Sequence, residues 1–292
     1  MILASIDIGS NAARLLIMKA DPYGSGTDTD FTKLNLLRIP LQLGFDVFET
    51  GLISPEKTKM FIQTMQVFKN LMEIYQVEHY RACATSAMRD AKNGPKIKKT
   101  IRKKTKIDID IISGDEEAGI LLENHIINSG QQLFIDVGGG STELTLFNDT
   151  AIVAKQSFNV GTIRILNNLD YDDAWQEMKA FVKSHTTPDS NIQLVGSGGN
   201  INKIFSISKQ KEGKPLSRNF IKQLHEKMAT LPIEERIHQF NIREDRANVI
   251  VPALHVYLNV MKWSNCNDIL VPKVGLADAI IKKLYFQQLK LK

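Results

Sequence analysis

Three short stretches of the sequence combine carboxylates with small, turn-forming residues. In "FIDVGGGSTELTLF" (134–147), Gly138, Gly139 and Gly140 stand between two apolar runs, with Asp136 before them and Glu143 after them. "SIDIGSNAARLLI" (5–17) repeats that plan with Asp7, Ser10 and Asn11, and "GSGGN" (196–200) adds Gly198 and Gly199. Glycine lets backbone N–H groups approach a ligand with no side chain in the way, and a run of such donors forms an anion-binding concavity. Ser10, Asn11, Ser141 and Thr142 place hydroxyl or amide donors beside it. A lone hairpin turn can use glycine for its positive φ alone, but three such turns in one chain favour a phosphate ligand. Asp7, Asp136 and Glu143 are what Mg²⁺ needs, because that ion takes one or two carboxylates and leaves its other positions to water and phosphate. The alternative for Asp136 is a turn-forming aspartate with no ligand.

A second group could move protons or balance charge. Glu116 and Glu117 open a predicted helix directly after a strand. The helix dipole alone favours carboxylates there, yet neighbouring residues project about 100° apart, so one can cap the turn while the other serves as a base. In phosphate chemistry such a base orients and deprotonates water. Arg14 and Arg89 each follow a turn of small polar residues, Ser10-Asn11 and Thr85-Ser86, and could neutralise phosphate oxygens, although a surface ion pair explains either one alone. The chain carries neither G-x-x-x-x-G-K-[ST] nor a helix-opening G-x-G-x-x-G, which weakens both common nucleotide readings. Its six histidines are dispersed and its two cysteines, Cys83 and Cys266, match no zinc spacing, so any metal should be held by oxygens.

The elements that must position these residues alternate in type. Strand patterns occur at 2–9, 12–20, 31–43, 107–113, 134–147, 151–158 and 268–272, and 44–53 reads as a turn-rich piece. Helical patterns occur at 54–76, with Ser54 as N-cap and Pro55 in the first turn, at 115–126, and at 243–263 with a bend expected at Pro252. Strands alternating with helices make this an α/β protein. The repeated Asp-Gly hairpins start two related halves, each about one domain long, and would set their turns toward a shared cleft. The expected domains are 1–127 and 128–277, with a helix at 278–292 packing back on the first.

At 292 residues with 43% hydrophobic and 24% charged residues, the composition is that of a soluble globular protein. No stretch is apolar for long enough to span a bilayer, and the opening "MILASIDIGS" lacks a basic leader and contains Asp7, so a cytoplasmic location is expected. The net charge is +5, and "KNGPKIKKTIRKKTK" (92–106) carries eight Lys or Arg without one acid. It reads as a solvated helix face with Ile97 and Ile101 inward, or more sharply as a landing surface for a polyanion.

Taken together, "DIGSNAARLLI", "ATSAMRDAKNG", "ISGDEEAGIL", "FIDVGGGSTEL", "GSGGNINKI" and "REDRANVIVPAL" give a chain that resembles the exopolyphosphatase and guanosine pentaphosphate phosphohydrolase (Ppx/GppA) family, in its short two-domain form, from residue 2 to about 284. The resemblance implies two ribonuclease-H-like domains of the actin, sugar kinase and heat-shock chaperone ATPase superfamily flanking a cleft. It implies Mg²⁺-dependent release of terminal phosphate from polyphosphate or guanosine pentaphosphate, with neither DNA nor membrane as partner and with a homodimer as the assembly. By the same resemblance Glu117 is the general base, Asp136 and Glu143 are the metal and water-orienting carboxylates, and Arg89 is a phosphate ligand. Two departures stand out: Gln42-Leu43-Gly44 where many members read Arg-Leu-Gly, and Asn200 where a threonine often follows the second-domain glycines. The competing expectations are a phosphotransferase of the same superfamily and a sensor that binds guanosine tetraphosphate or pentaphosphate without turnover.

Overall fold

The opening hairpin shows how alternation is converted into layers. In the computed structural model, Ala4, Ile6 and Ile8 face one core, while Leu3 and Ser5 face another layer. Asp7 shares that second face by the two-residue period of a strand. The structure describes all residues except 22, 25–26, 28–29, 123–129, 150, 170–171, 187–191, 273–274 and 291–292. The chain divides into two compact units, Met1–Asn124 with Gly275–Lys292, and His125–Val274. The expected boundary at 127/128 and the 123–126 part of the predicted helix lie outside the described residues.

The first unit contains β1 (Ile2–Ile8), β2 (Ala13–Ala20), β3 (Phe31–Ile39), α1 (Leu43–Thr50), α2 (Pro55–Ile74), β4 (His79–Ala84), α3 (Ser86–Asp90), α4 (Gly94–Thr105), β5 (Ile109–Ile111) and α5 (Gly114–Leu122). Its sheet order is β3-β2-β1-β4-β5, with β1, β2 and β3 antiparallel and β4 and β5 parallel to β1. Ser54 caps α2 by accepting from the Lys57 N–H at 3.3 Å, and Pro55 follows at the first helical position. Ile97 and Ile101 of α4 are buried and its lysines line the outside. The segment read as turn-rich is mostly α1, which starts at Leu43 inside the 31–43 strand pattern, and the 107–113 strand contracts to the three residues of β5.

The second unit contains β6 (Gln131–Val137), β7 (Thr142–Asn148), β8 (Ala151–Phe158), α6 (Thr162–Leu166), α7 (Asp172–His185), β9 (Gln193–Ser197), α8 (Gly199–Ser208), β10 (Leu216–Ser217), α9 (Arg218–Thr230), α10 (Ile233–Phe240), α11 (Glu244–Ala247), α12 (Ile250–Trp263) and β11 (Asp268–Leu270). Its order β10-β11-β9-β6-β7-β8 contains the first unit's order again, with β8, β7, β6, β9 and β11 in the places of β3, β2, β1, β4 and β5. The strand directions match as well. Two mixed sheets of one topology make the protein α/β with two ribonuclease-H-like units. The helix expected to bend at Pro252 instead breaks at Asn248 and Val249, between α11 and α12. Pro252 lies in the first turn of α12, where its missing N–H has no intrahelical role to lose.

The last helix, α13 (Leu276–Lys290), belongs to the first unit. Ala277, Ile281, Leu284 and Tyr285 pack on Leu3, Leu16 and Ala20, and the Ser5 hydroxyl donates to the Ala277 carbonyl at 2.7 Å. Among the described residues no helix is long and apolar enough to cross a membrane.

Candidate active site

Both hairpin turns close in the same way. The Gly9 N–H donates to the Ala12 carbonyl at 3.0 Å, and the Gly138 N–H donates to the Ser141 carbonyl at 2.9 Å. The flanking pairs match too, Ile8 with Ala13 and Val137 with Thr142.

In the first unit, Asp7 is buried opposite Arg14, whose Nη1 lies 2.7 Å from Asp7 Oδ2. Two of the expected phosphate residues meet directly: Ser10 Oγ and Ser86 Oγ are 2.8 Å apart, both buried beside buried Thr85. The Thr85 N–H donates to the Ile8 carbonyl at 3.1 Å, which ties the start of α3 to the end of β1. Arg89 donates from Nη1 to the Ile112 carbonyl at 3.0 Å, on the segment leading into α5 and Glu117. Asn11 accepts the Gln42 N–H at its carbonyl, 2.9 Å away.

The two glutamates of α5 have different surroundings. Glu116 is exposed and held by Arg81, with Nη2 to Oε1 at 2.8 Å, while Arg81 Nε also holds Asp110 at 3.1 Å. Glu117 is half-buried and its N–H donates to the Ser113 carbonyl at 2.9 Å. Between these groups, Cys83 pairs in register with Asp7 and Asp110. Burial above all, with Asp110, Asp7 and Glu116 adding to it against Arg81, pushes its thiol up to about 12.

In the second unit, Asp136 stands in register between Glu143 on β7 and Ser197 on β9. Glu143 is buried, and its Oε1 accepts from Ser141 Oγ at 2.6 Å and from Ser157 Oγ at 2.9 Å. Gly198 has φ 97°, and a Cβ there would come 2.6 Å from Asp136 Oδ1, so this position excludes a side chain on two counts. Gly199 starts α8. Thr142, expected among the donors, gives its hydroxyl proton to the Val160 carbonyl at 2.6 Å. Beneath the strand ends the buried Tyr257 hydroxyl donates to the Ser197 carbonyl at 2.9 Å. Its ionisation is pushed well up, by burial first and by the Asp136 charge second, against a backbone hydrogen bond at Val137.

The glycine turn packs against a further glycine. Among the described residues the glycines at positive φ are Gly51, Gly130, Gly198 and Gly213, so left-handed geometry does not account for Gly138, Gly139 and Gly140. What the turn meets is Gly161, just before α6. A Cβ on Gly161 would come 2.4 Å from the Gly140 carbonyl carbon and 2.5 Å from the Gly139 oxygen. Backbone packs directly on backbone here.

Among the described residues no three His, Cys, Asp or Glu side chains gather as a metal site. Asp136 and Glu143 nevertheless face one another across two strands, a position where like charges repel. A hard divalent cation suits such a donor set, provided that water and phosphate oxygens fill its other positions. These two residues therefore fit Mg²⁺. Arg81, Ser157 and Tyr257 escaped the reading of the sequence. Only Arg81 left a signal, as a cation in β4 with acids in both β5 and α5.

Comparison with known proteins adds to this geometry. The chain is 31% identical over 229 residues to a bifunctional 3-dehydroquinate synthase/phosphatase of Fusobacterium nucleatum, covering 72% of this chain and 34% of that protein. It is 27% identical over 177 residues to exopolyphosphatase 1 of Mycobacterium bovis, covering 59% of this chain and 50% of the other. The chain thus spans half or less of the length of these two relatives. The crystal structure of an exopolyphosphatase from Cytophaga hutchinsonii superposes with a TM-score of 0.83 at 23% identity, covering 98% of both chains, and so shares the fold. The sequence model of the Ppx/GppA phosphatase family matches residues 26–284, and the chain belongs to that family.

Proposed function

We propose that this protein is a Mg²⁺-dependent phosphoanhydride hydrolase that releases the terminal phosphate of inorganic polyphosphate or guanosine pentaphosphate. The observation that carries this reading is the Asp136–Glu143 pair beside a glycine turn whose backbone is packed on Gly161. Family membership and the exopolyphosphatase name of one relative support it.

In this reading the N–H groups of the glycine turns bind phosphate oxygens, and Arg89 adds positive charge. Glu117 takes the proton of a water that attacks the terminal phosphorus, while the bond to the bridging oxygen breaks and the shortened chain leaves. Glu116, its neighbour, lies in an ion pair with Arg81. Ser141 and Ser157 orient the Glu143 carboxylate, and Asp7 orients Arg14. Mg²⁺ held at Asp136 and Glu143 supplies neutralisation of the phosphate charge.

The test is phosphate release by the purified protein from polyphosphate, guanosine pentaphosphate and ATP, with and without Mg²⁺. Mg²⁺-dependent release from either of the first two is expected. Saturable binding without release at any Mg²⁺ concentration would overturn the reading and leave a sensor.

A further inference from the structure

Arg164 lies outside every motif used above, yet its side chain reaches the glycine turn: Nε donates to the Gly140 carbonyl at 2.8 Å. The other two carbonyls of the turn are held from the same side. Gly138 accepts the Thr162 N–H at 3.0 Å, and Gly139 accepts the Ile163 N–H at 2.8 Å. All three glycine carbonyls are therefore fastened to α6, and Gly161 permits the approach by having no side chain.

A trans peptide points its C=O and the following N–H in opposite directions. Fixing the carbonyls of Gly138, Gly139 and Gly140 therefore turns the N–H groups of Gly139, Gly140 and Ser141 away from α6. No backbone carbonyl among the described residues takes those three N–H groups.

The first unit is built likewise. There the Gly44 N–H donates to the Ser10 carbonyl and the Gln42 N–H to the Asn11 carbonyl, both at 2.9 Å, from the start of α1. Both α1 and α6 follow the third strand of their unit. Ser10 and Asn11 stand in their turn where Gly139 and Gly140 stand in the other. In the second unit a side chain, Arg164, does what the Gln42 backbone does in the first.

We infer that Arg164 is a positioning residue for phosphate binding: it locks the last peptide of the glycine turn so that three consecutive N–H groups are presented to one anion. This rests on the reading of the turn as a phosphate cradle. The role differs from that of Arg89 and Arg14, whose proposed contribution is charge.

The experiment compares wild type with Arg164→Met, which keeps the aliphatic stem and removes the donor, and with Gly161→Ala. Tripolyphosphate binding is measured by calorimetry without Mg²⁺, KM and kcat by phosphate release with Mg²⁺, and Tm by thermal melting. For Arg164→Met the dissociation constant and KM should both rise about tenfold with kcat held within about threefold, the pattern of lost uniform binding, and Tm should barely move. A purely architectural role would lower Tm and the active fraction without moving KM. Gly161→Ala should act in the same direction and more strongly; should it fail to fold, Arg164→Met decides alone. Unchanged binding and KM in Arg164→Met, with wild type binding tripolyphosphate, would overturn this role and leave the cradle standing. Absence of tripolyphosphate binding by wild type would overturn the cradle and this inference together.

Discussion

Arg14 and Glu143 hold the same register position in two copies of one hairpin, each directly opposite an aspartate. Arg14 neutralises Asp7 at 2.7 Å, whereas Glu143 sets a second carboxylate against Asp136. One scaffold thus carries an oppositely charged pair in one unit and two carboxylates in register in the other. Asp136→Asn and Glu143→Gln should each shift the Mg²⁺ concentration for half-maximal rate upward by at least the roughly 10- to 100-fold that loss of an outer-shell partner of a metal ligand costs. Mg²⁺ titration of the initial rate checks this, and superimposable curves would remove both residues from the metal shell.

Arg81 pairs with Glu116, which is exposed, while the adjacent Glu117 is half-buried. Glu117→Gln should lower kcat by about 100-fold or more while leaving phosphate affinity close to wild type, because an amide keeps size and polarity but takes no proton. Glu116→Gln should cost less than about 1 kcal/mol of stability, as for an exposed ion pair, with kcat nearly intact. Steady-state kinetics on both variants decides the assignment, and the reverse pattern would exchange the roles.

On α4, Lys96, Lys99, Lys103 and Lys104 are exposed, while Lys98 and Arg102 lie 3.7 Å and 3.5 Å from Asp108. Part of the basic run is therefore engaged with its own fold. Replacing the four exposed lysines with Gln should slow turnover of long polyphosphate at low salt, with the difference closing as ionic strength rises, through lost steering. Guanosine pentaphosphate turnover should change little. Equal rates on long chains at every ionic strength would return this helix to a solvated surface.

Cys83 gives a prediction with a definite sign. Its thiol ordinarily ionises near 9.0 and is pushed up to about 12 in the fold, by burial first. The unfolded chain therefore releases this proton at lower pH than the native protein, and native stability falls as pH rises from 9.0 towards 12. The slope from this group is at most about 1.4 kcal/mol per pH unit. Denaturant unfolding across that range should show the loss in wild type and a shallower one in Cys83→Ala. Iodoacetamide at pH 8 should spare Cys83 in the native protein and modify it in denaturant.

The hairpins and α2 were legible in the sequence because their signals are local. Two-residue alternation, an Asp-Gly turn, and Ser54 followed by Pro55 each act within a few residues. α1 was not legible: its N-cap, Gln42, is left-handed at φ 51° and makes no side-chain cap. What starts that helix is the turn at Ser10 and Asn11, which receives the Gly44 and Gln42 N–H groups across some thirty residues of chain. Arg164 and Tyr257 were hidden for the same reason, since each acts on a backbone carbonyl brought near only by folding. The shared plan of the two sheets could be read because the sequence repeats its Asp-Gly hairpin, while the helices around them carry no such repeat.

The docking of α13 on β1 and β2 has a consequence for synthesis on the ribosome. Leu3, Leu16 and Ala20 emerge in the opening part of the chain, yet Ile281, Leu284 and Tyr285, which cover them, emerge only after the whole second unit has been made. The second unit is continuous in sequence and can close as soon as its own strands are out. The nascent first unit must meanwhile carry one bare apolar face, and α13, made after the second unit, is the latch that ends the exposure of that face to chaperones and to neighbouring chains.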